Sequence, residues 1–267
     1  MAEVLEINKE TILLCVEKIK KDGLVSFPTE TVYGLGASIY SQVGLDKIFE
    51  AKKRPKTDPL IIHVANSAVA LEFLSLSPFQ KKVYDLLTEH FWPGPLTLVL
   101  PRKAGKILDT ITAGGDYVGV RCPNHLEALS FLNAVNIPVA APSANLFSHV
   151  SPTRAEHVYQ DLGNYDDLFI LKSEVGCSFG IESTVLKINE DSHLVLLRPG
   201  AVGSIEISRC LKDFGIIFEF VPKEEVNHGS KKAQINESPG QGITHYSPYI
   251  ETYIYSKLSL DNKTKTL

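Results

Sequence analysis

The chain lacks the cysteine patterns that mark metal sites and disulfide frameworks. Its four cysteines are scattered, and no Cys-x-x-Cys pair occurs among Cys15, Cys122, Cys177 and Cys210. We therefore expect neither a zinc site nor disulfide bonds. Reduced, buried thiols are typical of a cytosolic compartment, which this composition favours.

Long apolar runs are also missing. No stretch approaches the roughly 20 apolar residues that span a bilayer. The N-terminus carries Glu3 and Glu6 and has no signal-peptide core. We expect a cytoplasmic protein that makes no membrane contact. The net charge of −4 argues against a protein that coats nucleic acid, although it leaves a local basic groove open.

The common nucleotide-binding and hydrolytic fingerprints are absent as well. No Walker-type Gly-x-x-x-x-Gly-Lys-Ser/Thr run occurs, and Gly34 with Gly36 does not complete a dinucleotide motif. No obvious Ser-His-Asp or Cys-His set is present either.

The length and the apolar fraction predict a globular α/β protein. The 267 residues, 44% of them apolar, suit one large domain or one domain with an appendage. Helical and strand patterns alternate loosely, and several strands are adjacent, which predicts a twisted, mixed, open sheet flanked by helices. The predicted strands cover 24–27, 60–64, 96–100, 117–121, 139–141, 183–188, 194–197 and 216–221. The predicted helices follow Asn8, Ser77 and Ser151, or cover 44–53, 125–134 and 205–211.

Polar and cationic residues recur where the predicted strands end. Thr29, Glu30 and Thr31 carry hydroxyl and carboxylate groups of an exposed type. A proline-stiffened basic loop follows at 52–56, and hydroxyls faced by cations suit a phosphate-bearing ligand. Arg121 closes another strand. If these ends converge, they form a central polar, cationic cleft for at least one anion.

Each of these features alone also has an ordinary structural explanation. A basic run is commonly a solvated face, Arg121 can form a surface ion pair, and a buried histidine such as His63 is commonly structural. Ser143 and Asn145 follow a proline and suit a turn, and helix capping explains Ser151. The spacing leaves these alternatives open.

Eight motifs in sequence order resemble the YrdC-domain family over about residues 8 to 220. They are Pro28–Gly36, Lys52-Lys53-Arg54, Pro59-Leu60, Trp92–Thr97, Val120–Pro123, Ser143-Ala144-Asn145, Ser183–Val185 and Arg198–Gly200. The resemblance implies a YrdC-like fold and a catalytic domain over 8–220. Ser238–Gly240 and His245–Pro248 are similar to the linker of the longer threonylcarbamoyl-AMP synthases. We therefore expect a linker over 221–250 that can fold over the active site. A short tail over 251–267 would replace most of the second domain.

The resemblance implies an activity. Members of this kind act as nucleotidyltransferases that condense L-threonine, bicarbonate and ATP to threonylcarbamoyl-adenylate and pyrophosphate. A separate tRNA threonylcarbamoyl transferase then uses the product to modify ANN-decoding tRNAs. Mg²⁺ would accompany ATP, held by phosphates and water rather than by side chains.

The same resemblance implies the site residues. Lys52 and Arg54 would be catalytic. The ATP-binding set would be Lys52, Arg54, Asp58, Thr112, Ser143, Asn145, Ser151, Arg198 and the linker residue Tyr246. The L-threonine-binding set would be Thr31, His63, Arg121, Ala141 (through its backbone) and Ser183.

Three other functions are weighed against this one. A non-catalytic module could hold double-stranded RNA or tRNA in the cationic cleft, with affinity that falls steeply with salt. A related carbamoyl-adenylate enzyme of a maturation system would need carbamoyl phosphate, flanking domains and zinc-finger cysteines, none of which this sequence indicates. A degenerate scaffolding member is disfavoured because the expected cationic and hydroxyl positions are filled.

Overall fold

The computed structural model describes residues 1–190, 192–220, 253–254 and 264–265, the last two pairs as backbone. The predicted linker over 221–250, with Tyr246, and most of the predicted tail lie outside the described residues. The domain boundaries predicted there therefore remain predictions.

The described residues form eight helices. They are α1 (Lys9–Lys20), α2 (Gln42–Lys52), α3 (Ser67–Leu71), α4 (Pro78–Phe91), α5 (Asp109–Thr112), α6 (Leu126–Val135), α7 (Ala155–Leu162) and α8 (Ser204–Asp213). The predicted caps of α1 and α4 are confirmed: the Asn8 side chain accepts from two backbone amides of α1, and Ser77 caps α4 with Pro78 in its first turn. Ser151 caps nothing, because α7 begins after Arg154.

The described residues form thirteen strands. They are β1 (Glu3–Glu6), β2 (Leu24–Phe27), β3 (Gly34–Ser38), β4 (Ile61–His63), β5 (Leu96–Pro101), β6 (Tyr117–Arg121), β7 (Val139–Ala140), β8 (Leu168–Lys172), β9 (Thr184–Ile188), β10 (His193–Arg198), β11 (Glu219–Phe220), β12 (Tyr253–Ile254) and β13 (Thr264–Lys265). The first eleven form one sheet in the order β1-β8-β2-β3-β7-β4-β6-β5-β9-β10-β11. The sheet contains parallel pairs such as β4 with β6 and antiparallel pairs such as β2 with β3. The predicted mixed sheet is confirmed.

The sheet is covered by helices on two sides. One apolar cluster joins α1 and α6 to β2, with Cys15, Ile19, Phe27 and Phe131 all buried. A larger cluster packs α2, α4 and α7 against the sheet. All four cysteines are free, and three of them are buried. Among the described helices, none is both long and apolar enough for a membrane crossing.

The structure differs from the sequence prediction at several elements. Strands β1, β3 and β8 were not predicted, and the strand predicted over 216–221 is reduced to β11. The short helix α5 lies outside the predicted helices. Strand β3 contains the motif glycines Gly34 and Gly36, and no strand was predicted over this segment. Its low intrinsic strand preference is overridden by pairing with β2 and β7.

Gly36 provides a test of this packing. An added Cβ would lie 2.6 Å from Val139 Cγ1 and 3.0 Å from Phe27 Cε1. Overpacking of this kind destabilises a protein by about 1–3 kcal/mol. We expect Gly36→Ala to lower the free energy of unfolding by that amount in chemical denaturation. Gly176→Ala, where nothing lies within 4 Å of the new Cβ, is the control, and equal stability of the two variants would contradict the assignment.

Candidate active site

A pocket opens beside β4, β6 and β7, next to the turn between β2 and β3. Ile62 and His63 pair with Val120 and Arg121 in the parallel β4–β6 ladder, which places His63 next to Arg121. Ligands commonly bind at such strand ends in α/β sheets. The pocket is lined by Thr29, Val32, Tyr33, Gly34, Arg54, Ile61, His63, Arg121, Ala141, Pro142, Ser143, Glu182, Ser183 and Arg198.

The turn after β2 is held by its own hydroxyls. Thr29 Oγ1 donates to the carbonyl of Val32 at 2.7 Å and accepts from the backbone amide of Thr31 at 3.1 Å. The Thr31 hydroxyl lies 2.8 Å from the Thr29 hydroxyl. Thr29, Glu30 and Thr31 are all buried, so the expectation of exposed groups is wrong. The turn satisfies these hydroxyls internally, and Glu30 is paired with a distant cation.

That cation is Arg121. Its Nη2 lies 2.7 Å from Glu30 Oε1, and both side chains are almost completely buried. Arg121 therefore does form an ion pair, but the pair is buried and not at the surface. Oε2 of Glu30 is buried without a partner. Because buried charges require a partner, Glu30 fixes the guanidinium at the pocket wall. Sequence reasoning missed this role.

His63 contributes an uncharged polar group. It is 4% exposed, and burial, followed by the charge of Arg121, lowers its pKa to about 3. Its Nδ1 has no hydrogen-bond partner. A neutral imidazole with one free nitrogen can bond a polar ligand group without adding charge.

Arg54 enters the pocket from the loop after α2. Its Nη2 lies 2.6 Å from Asp58 Oδ2 and donates to the Pro59 carbonyl at 2.9 Å. Its Nε is buried and unpartnered. Burial lowers the pKa of Arg54, Asp58 opposes this change, and Arg198 adds to it. Asp58 thus holds the arginine rather than lining the pocket.

Arg198 and Ser183 form the opposite wall. Arg198 donates through Nε and Nη2 to the Ser183 carbonyl, at 3.1 and 3.0 Å. The Ser183 hydroxyl lies 2.7 Å from that of Thr97. Gly200 lets the chain after Arg198 pack closely against the backbone of residues 182–184, because a Cβ at position 200 would lie 2.4 Å from the backbone nitrogen of Thr184. Glu182 lines the pocket and accepts a hydrogen bond from Ser151 Oγ.

The structure brings about half of the predicted site residues to the pocket wall. These are Arg54, His63, Arg121, Ala141, Ser143, Ser183 and Arg198. The pocket lining does not include Thr31, Lys52, Asp58, Thr112, Asn145 or Ser151. Lys52 instead donates from Nζ to the carbonyl oxygens of Ser143, at 2.6 Å, and Asn145. Ligand contacts of these six residues, and of Tyr246, stay predictions.

Sequence reasoning missed several residues that line the pocket. They are Thr29, Val32, Tyr33, Gly34, Ile61, Pro142 and Glu182. Most of them are sequence neighbours of predicted site residues in the same motifs. That proximity in sequence is the signal that could have identified them. Three arginines and one glutamate carry the charged groups of the lining, which gives the wall a net positive charge suited to anions.

The chain is similar to known proteins over most of its length. The Sua5/YciO/YrdC family model, described as telomere recombination, matches residues 17–200. The threonylcarbamoyl-AMP synthase of Bacillus subtilis is 37% identical over 248 residues, which cover 93% of this chain and 67% of that protein. The protein of the same name from Pyrococcus abyssi is 39% identical over 239 residues, with 88% and 65% covered. The chain thus spans about two thirds of the length of these curated relatives.

A solved structure is similar as well. The crystal structure of P. abyssi Sua5 complexed with L-threonine has a TM-score of 0.80 and 36% sequence identity, and the match covers 94% of this chain and 70% of that one. The predicted fold and family are therefore confirmed.

The neutrality of His63 gives a pH prediction. Its pKa is about 3 in the folded chain against an ordinary 6.5, so below pH 6.5 the unfolded chain binds a proton that the folded chain does not. The titration of His63 therefore leaves the free energy of unfolding unchanged above pH 6.5. As the pH drops from 6.5 towards 3, it lowers this free energy by about 1.4 kcal/mol per pH unit. We expect His63→Gln to remove this slope when unfolding free energies are measured from pH 7 to 4. A titration of the His63 ring with a midpoint near 6.5, seen by NMR, would contradict the prediction.

Proposed function

Because the chain belongs to the Sua5/YciO/YrdC family, we propose that it condenses L-threonine, bicarbonate and ATP into threonylcarbamoyl-AMP and pyrophosphate. The observation that carries this proposal is a single pocket with a buried, carboxylate-fixed Arg121 beside neutral His63, and with Arg54 and Arg198 on its wall. One arginine suits an amino-acid carboxylate, and the other two suit phosphates.

The amino-acid side of the pocket contains Arg121, His63, Ala141 and Ser183. Arg121 would bind the threonine carboxylate through the guanidinium N–H groups that are bonded neither to Glu30 nor to the Gly94 carbonyl. Neutral His63 would bond the threonine hydroxyl or amine without repelling the ammonium group. L-threonine is the ligand of the P. abyssi Sua5 structure, which supports this assignment. Thr31 belongs to the same proposed set and would act from behind the wall.

The phosphate side contains Arg54 and Arg198. Each places a guanidinium on the pocket wall, and a guanidinium is a planar fork of N–H donors that a lysine lacks. In the proposed reaction the neutral threonine amine takes up carbon dioxide or bicarbonate, and a carbamate oxygen then attacks the α-phosphate as pyrophosphate leaves. The protein would supply positioning and charge stabilisation, so no nucleophilic side chain is needed.

The remaining nucleotide assignments follow the family pattern. We assign Lys52, Asp58, Thr112, Ser143, Asn145, Ser151 and Tyr246 to the ATP-binding set. The curated name of the relatives supports an enzyme, and attack on the α-phosphate makes it a nucleotidyltransferase. Its product would be consumed by a separate transferase that acts on ANN-decoding tRNA in the cytoplasm.

Mg²⁺ would enter with ATP. Among the described residues, no group of three or more His, Cys, Asp or Glu side chains could hold a metal ion, and Glu182 is the carboxylate of the described pocket lining. So few carboxylates fit an ion that is held by phosphates and water rather than by side chains. The ion would help neutralise phosphate charge.

Pyrophosphate release tests the proposed function. We expect release from ATP and bicarbonate to require L-threonine, because the carbamate is the attacking group. L-serine, which lacks the methyl group, is the control substrate. Absence of threonine-dependent release from folded protein that binds ATP would overturn the proposal.

Arg54 tests the phosphate site. Removal of one preorganised donor to a developing charge lowers turnover about 10²–10³-fold. We expect this loss in kcat for Arg54→Ala and for Arg54→Lys, which keeps a charge opposite Asp58 but loses the fork. Lys56→Ala on the same loop is the control, since Lys56 is exposed and pairs with Asp46. Full activity of Arg54→Lys, with circular dichroism unchanged, would refute the role.

A further inference from the structure

The loop Ser143–His149 joins the pocket wall to the body of the protein. It leaves β7 through Ala141 and Pro142, and Ser143 lines the pocket. Its start is fixed against the β2–β3 segment, because the Ala144 amide donates to the Tyr33 carbonyl at 2.8 Å. The remainder of the loop extends away from the sheet and needs other partners.

Asp161, on the last turn of α7, holds the far end of this loop. Its Oδ2 accepts from the backbone amide of Leu146 at 3.0 Å. Both carboxylate oxygens lie within 3.1 Å of His149 Nδ1. The Asp161 side chain is about one-fifth exposed, so these bonds are formed away from bulk water, where a charge-assisted bond is strong. No motif of the sequence includes Asp161.

Lys52 holds the same loop from the other side. Besides the bonds from Nζ to Ser143 and Asn145, its own carbonyl accepts from the Phe147 amide at 2.8 Å. Lys52 is 1% exposed. The loop is therefore held by hydrogen bonds to the end of α2 on one side and to the end of α7 on the other.

The conformation of this loop determines which side-chain atom of Asn145 has no hydrogen-bond partner. Asn145 Nδ2 donates to the carbonyls of Leu146 and His149, at 2.7 and 2.9 Å. These two acceptors fix the orientation of the amide. Oδ1 is left buried without a partner. An amide oxygen accepts only, and a fully ionised phosphate group has no hydrogen to donate.

We propose that Asp161 is a positioning residue: with Lys52 it fixes the Ser143–His149 loop so that Asn145 Oδ1 accepts a hydrogen bond from an O–H or N–H donor of the nucleoside part of ATP. The proposal rests on the proposed function for the identity of the nucleotide. It assigns Asn145 to the sugar hydroxyls or the base amino group rather than to the phosphates.

Asp161→Ala is the first test. Loss of the carboxylate frees the Leu146 amide, so we expect faster hydrogen–deuterium exchange of the 143–149 segment. We also expect about tenfold weaker binding of a non-hydrolysable ATP analogue by calorimetry, equal to about 1.4 kcal/mol. L-threonine affinity should change less than twofold. Asp161→Asn, which keeps an oxygen for the Leu146 amide, should restore most of the nucleotide affinity.

The control is Glu156→Ala, an exposed acidic residue on the same helix, which should behave as wild type in all three measurements. Equal losses for ATP analogue and L-threonine, or unchanged exchange in Asp161→Ala, would overturn the positioning role. Exchange and binding are read without turnover. If wild-type protein binds the ATP analogue but releases no pyrophosphate, the synthase proposal fails and the positioning proposal stands.

Nucleotide analogues identify the donor. We expect one of the 2′-deoxy, 3′-deoxy and 6-deamino forms of the ATP analogue to bind wild type about tenfold more weakly than the parent. That difference should shrink in Asp161→Ala, because Oδ1 is no longer held in place. If wild type binds all three analogues as tightly as the parent ATP analogue, the acceptor role of Asn145 is overturned.

Discussion

The pocket depends on one buried ion pair, between Arg121 on β6 and Glu30 on the turn after β2. Two charges are buried at a cost of several kcal/mol each unless they meet with good geometry. The turn therefore has to be rigid, and the Thr29 and Thr31 hydroxyls hold it. The amide of Phe179, from the segment before β9, donates to the Glu30 carbonyl at 3.0 Å. Once this contact is made, β2, β6 and the 173–183 segment have fixed relative positions around the pocket.

The other two arginines of the wall are also held by fixed partners. Arg54 is held by Asp58 and a carbonyl, and Arg198 by the Ser183 backbone. These contacts orient each guanidinium before any ligand arrives, so little reorganisation is needed when a negative charge enters. Such preorganisation can replace a nucleophile in a reaction that transfers a nucleotidyl group.

The sequence predicted those parts of the site that depend on local pattern. Arg121 was placed at the end of the predicted strand 117–121 and His63 inside the predicted strand 60–64, close to where β6 and β4 lie. The Arg121–Glu30 pair joins residues 91 positions apart, and no local pattern reports such a contact. The direction of Lys52 was equally hidden, because a cation in a Lys-x-Arg motif can face either a ligand or a carbonyl, and the fold of the 143–149 loop decides. Strand β3 was missed because Gly34 and Gly36 lower its strand propensity, which the neighbouring strands override.

Unpaired buried atoms show where the structure leaves room for a ligand. Seven buried side-chain atoms of the described residues have no hydrogen-bond partner, and four of them belong to Glu30, Arg54, His63 and Asn145. Each such atom costs about 1–3 kcal/mol. Arg54 and His63 line the pocket, whereas Glu30 and Asn145 do not. A ligand that supplies the missing partners of the two lining atoms recovers their cost on binding. Arg54 Nε offers a donor and His63 Nδ1 either a donor or an acceptor, so the matching ligand carries at least one acceptor, as an amino acid and a nucleotide both do.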